Sequence, residues 1–141
     1  MSRTALILID WQRGFDQHEA WGGNRNNPDA ETNALSILDA FREASQPVYH
    51  CVHDSMEPSS LLRRDKPGGK LLPGFDPRPD EALIVKHVNS CFIGTDLQAR
   101  LREDDVSKLV ICGLTTNHCV STTTRMAGNL GFAVTLIGDA C

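Results

Sequence analysis

Three residues that can transfer protons or attack a carbonyl carbon each follow a short apolar segment of the sequence. They are Asp10 after residues 4–9, Lys86 after residues 82–85, and Cys119 shortly after residues 108–113. A carboxylate can act as a general base, an ammonium can stabilise negative charge, and a thiol can act as a nucleophile. The three residue types together therefore indicate covalent catalysis by a cysteine, provided that the fold brings them to one place.

The segment around Cys119 indicates a buried strand, a tight turn and then a helix. Consecutive apolar residues end at Gly113, and either Thr116 or Asn117 is a natural helix N-cap. Either cap places Cys119 in the first helical turn, where unpaired N–H groups and the helix dipole favour an anion. The pattern therefore predicts a thiol with a lowered pKa. The alternative is a small buried cysteine without chemistry.

Alternating strands and helices must position these residues. Five apolar runs predict strands, at residues 4–9, 48–52, 82–85, 108–113 and 132–137. Such alternation predicts an α/β fold, with right-handed βαβ units and a parallel sheet covered by helices on both faces. Asp10, Lys86 and Cys119 then emerge at the same edge, beyond the carboxyl ends of the strands, where open α/β sheets bind ligands.

The predicted helices have recognisable starts and apolar faces. Asn27, followed by Pro28 and Asp29, is expected to cap a helix whose buried stripe is Ala34, Ile37, Leu38 and Phe41. Thr95 and Gln98 form a capping box for a short helix that runs to about Asp104. The helix that carries Cys119 is expected to continue through Ala127 and to end near Gly131. Residues 56–81 are rich in proline and are expected to form a long loop.

A nucleophilic cysteine needs a base and a site for the negative charge of the attacked carbonyl. Asp10 is expected to take the thiol proton and later to protonate a departing amine. Lys86 would stabilise the thiolate, and the N–H groups of Cys119 and the preceding turn would form an oxyanion hole. His118 is the rival base, but adjacent helical residues diverge by about 100°, so we expect it to face away from the thiolate.

Other interpretations of these residues are open at this stage. Asp10 could simply cap the next turn. His50, His53 and Asp54 could suggest a metal site, but strand residues 50 and 53 point to opposite faces and no third ligand is obvious. We therefore expect no metal, and we place His53 at the edge of the pocket or in a turn.

Composition narrows the function classes. The 141 residues predict one domain, residues 1–141, with the ordinary apolar content of a soluble globular protein. A net charge of -4 without a run of Lys and Arg argues against nucleic acid or an anionic membrane as partner, and no segment is apolar over a membrane-spanning length. No signal peptide is recognisable, and the five cysteines show no disulfide or zinc pattern, so a reducing cytoplasm is expected.

The chain resembles the isochorismatase-like cysteine hydrolase superfamily, which includes nicotinamidases and N-carbamoylsarcosine amidohydrolases. Three motifs carry the resemblance: Asp10-Trp11-Gln12-x-x-Phe15, Lys86 before Asn89-Ser90-x-Phe92-x-Gly94-Thr95-Asp96-Leu97, and Gly113-Leu114-Thr115-Thr116-Asn117-x-Cys119-Val120. They occur in the family's order and cover nearly the whole chain.

The resemblance implies a three-layer α/β/α fold with a triad that maps to Asp10, Lys86 and Cys119. It also implies a non-proline cis peptide at Leu114–Thr115, which would place the Thr115 N–H in the oxyanion hole, and a homo-oligomer. Relatives continue through another helix and strand after the fifth strand, whereas this sequence ends at Cys141.

Two departures from the family pattern bear on the reaction. Metal-binding nicotinamidases carry Asp-x-His after the second strand and a further His downstream, but this chain has His53-Asp54-Ser55 and no later histidine before Lys86. True isochorismatases lack the cysteine, so Cys119 favours cleavage of C–N bonds over cleavage of vinyl ethers.

The leading hypothesis is a cysteine amidohydrolase that forms a thioester with a small non-peptide amide or carbamoyl compound, uses water and needs no cofactor. The pocket residues expected from the sequence are Phe15, Trp21, His53, Asn89 and Phe92. One alternative is a redox-sensing protein with a reactive Cys119. Another is an inactive scaffold whose pocket is incomplete.

Overall fold

The computed structural model describes residues 3–16 and 27–141, and its centre is a five-stranded parallel sheet. The strands are β1 (Arg3–Ile9), β2 (Val48–His53), β3 (Ala82–Lys86), β4 (Val106–Gly113) and β5 (Ala133–Leu136). Their order across the sheet is β3-β2-β1-β4-β5, and every neighbouring pair is parallel. All five predicted strands are confirmed, to within a few residues at their ends.

β1 is the central strand, and its position follows from its composition. Residues 5–9 are at most 2% exposed, because every side chain in this stretch is apolar and both faces of the strand are covered. The two faces divide the core by alternation. Ile7 and Ile9 lie in one apolar cluster, whereas Leu6 and Leu8 lie in the other.

In the described part of the chain, three α-helices cover the sheet, and each cluster includes residues from the helices on its own face. They are α1 (Ala30–Glu43), α2 (Leu97–Glu103) and α3 (Ser121–Asn129). Ala34 and Leu38 of α1 join the cluster of Leu6 and Leu8. Residues of α2 and α3 join the cluster of Ile7 and Ile9. The result is the predicted α/β architecture, with helices on both sides of the sheet.

The predicted cap of α1 is wrong. Asp29 is the N-cap residue, and its side chain makes no capping hydrogen bond. The side-chain amide of Asn27 instead donates to the carbonyl oxygens of Gly138, at 2.8 Å, and Cys141, at 3.2 Å. Asn27 therefore ties the start of α1 to a segment more than 100 residues away, which a local capping rule does not reveal.

The predicted capping box of α2 is wrong, because Thr95 is not the N-cap residue. Asp96 is the N-cap, and the helix begins at Leu97. The Thr95 hydroxyl accepts a long hydrogen bond of 3.4 Å from the Leu97 N–H, while it donates to the Cys91 carbonyl at 2.6 Å. The stronger bond thus anchors the irregular segment before the helix.

The predicted long loop, residues 56–81, contains one short 3₁₀ turn, Pro67–Gly69. It is joined to the segment after β1 by an isolated bridge between Gln12 and Leu71. Within the described part of the chain, no helix has the length and apolar character needed to cross a membrane.

Candidate active site

The carboxyl ends of the strands bring together the three residues that the sequence singled out. Lys86 Nζ lies 3.1 Å from Asp10 Oδ2 and 3.2 Å from Cys119 Sγ. Asp10 and Lys86 are completely buried, and Cys119 is 7% exposed. A carboxylate, an ammonium and a thiol, separated by up to 109 positions in the sequence, are thus in mutual contact range.

The sheet explains how these side chains meet. Asp10 follows β1 directly and adopts a left-handed backbone conformation, with φ of 56°, which aspartate tolerates better than most residues. Its N–H donates to the Cys51 carbonyl of the neighbouring β2 at 2.9 Å. Lys86 is the last residue of β3, two strands from β1, so its long side chain must cross the end of β2 to reach Asp10.

The turn that delivers Cys119 begins at Gly113. This glycine has φ of 148°, and a Cβ atom there would lie 2.2 Å from the carbonyl oxygen of Ile9. Only glycine permits so close an approach of β4 to β1. The next peptide bond, between Leu114 and Thr115, is cis, as the resemblance implied.

The turn after the cis peptide differs from the predicted helix start. Thr116–Val120 forms one π-helical turn, and Thr115, rather than Thr116 or Asn117, occupies the N-cap position. The Thr115 carbonyl accepts from the N–H of Val120 at 3.3 Å. Cys119 is buried in this turn and His118 is exposed, which supports the expectation that His118 faces away from the sulfur.

At both Asp10 and Lys86, burial and the charge of the partner shift the pKa in opposite directions. Burial raises the pKa of Asp10 above its ordinary value, although the charge of Lys86 and hydrogen bonds from Cys119 and Lys86 oppose the shift. Burial alone would lower the pKa of Lys86, but the charge of Asp10 and the nearby cysteines outweigh it and raise that pKa. Lys86 therefore remains a cation at neutral pH.

The predicted lowering of the Cys119 pKa is wrong. Burial, followed by the negative charge of Asp10, raises the pKa of this thiol to about 12, and Lys86 offsets only part of the shift. The resting group is therefore a thiol rather than a thiolate. Nucleophilic attack then requires a base that accepts the proton, and Asp10 is the carboxylate in contact.

His53, predicted at the pocket edge, contacts the amine directly. Its Nδ1 lies 2.9 Å from Lys86 Nζ. Burial, the charge of Lys86 and the neighbouring His87 lower the pKa of His53 to about 4. His53 is therefore neutral at pH 7, and since Lys86 has only protons to donate, Nδ1 is the acceptor and Nε2 carries the hydrogen.

These contacts do not suit a metal ion. Among the described residues, ligand atoms of Asp10, His53 and Cys119 lie within 4.8 Å of one another, which is close enough to share an ion. However, the ammonium of Lys86 already hydrogen-bonds to all three. A cation that belongs to the chain thus supplies the positive charge of this cluster.

The other predicted pocket residues have different surroundings. Asn89 is exposed, and its Oδ1 lies 3.6 Å from Cys119 Sγ, so it borders the nucleophile. Phe92 stacks on Phe132 and is half-buried against the core. Phe15 packs against the apolar cluster on the opposite face of the sheet from Cys119. Trp21 lies outside the described residues.

Gln12 is a residue of this site whose role the sequence did not reveal. It is completely buried, and its side-chain amide donates to the carbonyl oxygens of His53, at 2.8 Å, and Gly69, at 2.9 Å. Its Oε1 accepts the N–H of His53 at 2.9 Å. The sequence signals for Gln12 were its position two residues after Asp10 and its place in the motif Asp10-Trp11-Gln12 of the family resemblance.

A second polar cluster lies near the amino end of β3, away from the site. Glu81 accepts hydrogen bonds from Arg42 Nε and Nη2 and from His50 Nε2, each at 2.8 Å. Its carboxylate is 5% exposed. His50 is therefore engaged with Glu81 and is not part of a site with His53.

Comparisons with known proteins show the family to which this chain belongs. Residues 4–141 match the model of the isochorismatase domain. The chain is 46% identical over 138 residues to the uncharacterised isochorismatase family protein YrdC of Bacillus subtilis, an alignment that covers 98% of this chain and 73% of YrdC. It is 30% identical over 151 residues to Nicotinamidase 3 of Arabidopsis thaliana, covering 97% of this chain and 72% of that protein.

A solved structure of an isochorismatase-family hydrolase from Chromobacterium violaceum matches with a TM-score of 0.92 and 45% identity, covering 99% of this chain and 71% of the other. Likeness in sequence and in fold thus extends over nearly the whole chain. The protein belongs to the isochorismatase family of hydrolases.

Proposed function

We propose that this protein hydrolyses the C–N bond of a small non-peptide amide or carbamoyl compound through a thioester on Cys119. The observation that carries the proposal is the position of the Lys86 ammonium, within 3.2 Å of both the Asp10 carboxylate and the Cys119 sulfur. Similarity to a nicotinamidase, an enzyme named for an amide substrate, supports the same class of reaction.

In the first half of the reaction, Asp10 accepts the proton of the Cys119 thiol, and the sulfur attacks the carbonyl carbon of the amide. The carbonyl oxygen becomes an oxyanion, for which the backbone N–H groups of Thr115 and Cys119 are the proposed donors. Asp10 then returns the proton to the nitrogen. The C–N bond breaks, ammonia or an amine leaves, and the acyl group remains on sulfur.

In the second half, Asp10 takes a proton from water, and the resulting hydroxide attacks the thioester. The carbon–sulfur bond breaks and the acid is released, while the proton returns to sulfur. Lys86 keeps its proton throughout and stabilises whichever neighbour, Asp10 or Cys119, is the anion.

The shifted pKa values favour this division of roles. Burial raises the pKa of Asp10, and burial with the charge of Asp10 raises that of Cys119 to about 12. A stronger base thus stands beside a thiol that needs one. The same raised thiol pKa argues against the redox-sensing alternative, because oxidants react with thiolates.

Replacing the nucleophile tests the proposal. The Cys119→Ala variant should release no ammonia or amine above background in a screen of small amides and carbamoyl compounds on which the unmodified protein is active. Circular dichroism and thermal melting should show that the fold is retained.

The matched control is Cys112→Ala, since Cys112 is also a buried free cysteine but lies in the cluster on the other face of the sheet. This variant should keep its activity. Full turnover by Cys119→Ala would refute the thioester mechanism.

A further inference from the structure

We propose that His53 is a positioning residue for the reaction, which holds the Lys86 ammonium between Asp10 and Cys119, and that Gln12 fixes His53 in turn. The inference rests on the proposed function for its consequence in catalysis. Its structural part, the control of the Cys119 thiol by His53 through Lys86, can be tested without any substrate.

Sheet register places His53 where it can act on Lys86. The ends of β1, β2 and β3 are consecutive across the sheet, and they carry Asp10, His53 and Lys86 respectively. His53 and Lys86 are register partners in the parallel pairing of β2 with β3. Paired residues of adjacent strands present their side chains on the same face, so His53 fills the gap that Lys86 must cross.

The hydrogen bonds of Lys86 show what His53 contributes. Among residues 3–16 and 27–141, four acceptors lie within 3.2 Å of Nζ, and the shortest contact, 2.9 Å, is to His53 Nδ1. The others are Asp10 Oδ2, the Val88 carbonyl and Cys119 Sγ. An ammonium has only three hydrogens on a flexible stem, so its orientation is set by the acceptors that hold it. His53 and Val88 supply the two contacts of Nζ that lie outside the reacting pair of Asp10 and Cys119.

The charge state of His53 is essential to this role. The ionisable groups that act on it are Lys86 from its register partner, His87 from the following residue, and Asp54 from its own chain segment. Burial, Lys86 and His87 disfavour the imidazolium, and Asp54 opposes them weakly, so the pKa falls to about 4. A protonated His53 could not accept from Lys86 and would set two cations side by side.

Gln12 fixes the backbone of His53. Its amide group forms a pair of hydrogen bonds with the N–H and the carbonyl of His53, as a neighbouring strand would. The N–H of Gln12 also donates to the Asp10 carbonyl at 2.8 Å. One buried side chain therefore joins the segment that carries the base to the residue that orients the ammonium.

The test compares His53→Asn with His53→Leu in the full chain. These replacements have similar shape, but only asparagine offers an acceptor near the position of Nδ1. The readout is the rate of alkylation of Cys119 by iodoacetamide between pH 6 and pH 10, followed by mass spectrometry of the peptide that carries Cys119. Asp10, Lys86 and Asn89 also contact this sulfur, and none of them is changed.

We expect His53→Leu to alkylate about tenfold more slowly at each pH below the thiol pKa, which corresponds to a rise of about one pKa unit. His53→Asn should remain within about twofold of the unmodified protein. Equal rates for the two variants, or faster alkylation in His53→Leu, would overturn the proposal.

Gln12→Glu provides a second test if His53→Leu does not fold. It keeps the shape of the side chain but removes the donor to two carbonyl oxygens, and it should slow alkylation in the same direction. If both variants fold, the double variant should be no slower than His53→Leu alone, because both changes act through one contact. Additive effects of the two changes would contradict the shared route.

The outcome is separable from that of the proposed function. Alkylation needs no amide substrate, so its dependence on His53 can be established whether or not amides are hydrolysed. Where an amide substrate is found, His53→Leu should lower kcat with little change in KM, and His53→Asn should restore most of the loss.

Discussion

At the scale of single residues, the site holds the Lys86 ammonium and the Asp10 carboxylate in a buried place where burial disfavours the charged form of each. Lys86 and Asp10 have no exposed surface, and each is stabilised as an ion by the other. An isolated buried ion is expensive, so removing one partner leaves an unfavourable charge behind. Removing one partner of the pair should therefore cost more stability than the net attraction between the two ions provides.

Lys86→Met should lower the free energy of unfolding by about 3–5 kcal/mol, because it leaves the Asp10 carboxylate buried without its counter-charge. The double variant Lys86→Met/Asp10→Asn should be more stable than Lys86→Met alone. Urea unfolding followed by circular dichroism measures both values.

The control is Lys108→Met, which replaces an exposed lysine of β4 and should change stability by less than about 0.5 kcal/mol. If the double variant were the less stable of the two, the carboxylate would not be the source of the cost.

At the scale of the elements, the turn after β4 depends on one residue without a side chain. Gly113 brings the end of β4 so close to β1 that any Cβ would overlap the Ile9 carbonyl. The N–H of the next residue, Leu114, donates to that same carbonyl at 3.0 Å. The path of the chain towards Cys119 is thus set before the helical turn begins.

Gly113→Ala should destabilise the protein by about 3 kcal/mol or more, since it adds a backbone overlap to an unfavourable φ. The comparison is Gly128→Ala in α3, where a Cβ would meet nothing within 4 Å. That helical change should stabilise by about 0.5–1 kcal/mol. Thermal and urea unfolding of the two variants test the contrast, and equal losses of stability at both glycines would contradict it.

The strands and the helix starts differ in how well they could be predicted from the sequence. The strands could be predicted because contiguous apolar runs such as residues 5–9 have few other folded solutions. The helix starts could not, because Asn27 bonds to carbonyl oxygens more than 100 residues away and Thr95 donates to Cys91, four residues earlier, instead of capping the helices. Local rules rank the candidate caps, but the other hydrogen bonds of the same side chains decide which of them are used.

The site shows the same division. Parallel topology alone was enough to predict that Asp10, Lys86 and Cys119 meet, because each follows a strand. The contact of His53 with Lys86 depends on strand register, and the raised pKa of Cys119 depends on burial. Neither the strand register nor the burial can be predicted from the residues that neighbour His53 and Cys119 in the sequence.

At the scale of the whole molecule, neutral histidines and an ionised glutamate make the fold sensitive to acid. His53 has a pKa of about 4, and burial lowers the pKa of His50 as well, although its bond to Glu81 opposes this. For Glu81, burial favours the neutral acid, but Arg42, the Arg78 N–H and His50 outweigh it and lower the pKa to about 2. Each of these groups binds protons more weakly in the folded state than in the unfolded chain.

Stability should therefore fall as the pH is lowered, first between about 6.5 and 4 as His53 is protonated, and then between about 4.5 and 2 as Glu81 is protonated. Glu81→Gln should be less stable at pH 7, and its unfolding midpoint should decline less steeply below pH 4.5. Urea unfolding midpoints at intervals from pH 7 to pH 3 measure both effects. Parallel curves for the variant and the unmodified protein would show that Glu81 does not contribute to the acid limb.

Complete burial of Asp10 and Lys86 has a consequence for the response to dissolved ions. Surface pairs such as Arg63 with Asp65 and Arg100 with Asp96 are open to solvent, so mobile salt ions gather around them and weaken their attraction. No such ion can approach the buried pair, whose two side chains have no contact with solvent. The electrostatic balance of the site is thus insulated from the ionic strength of its surroundings, while that of the molecular surface is not.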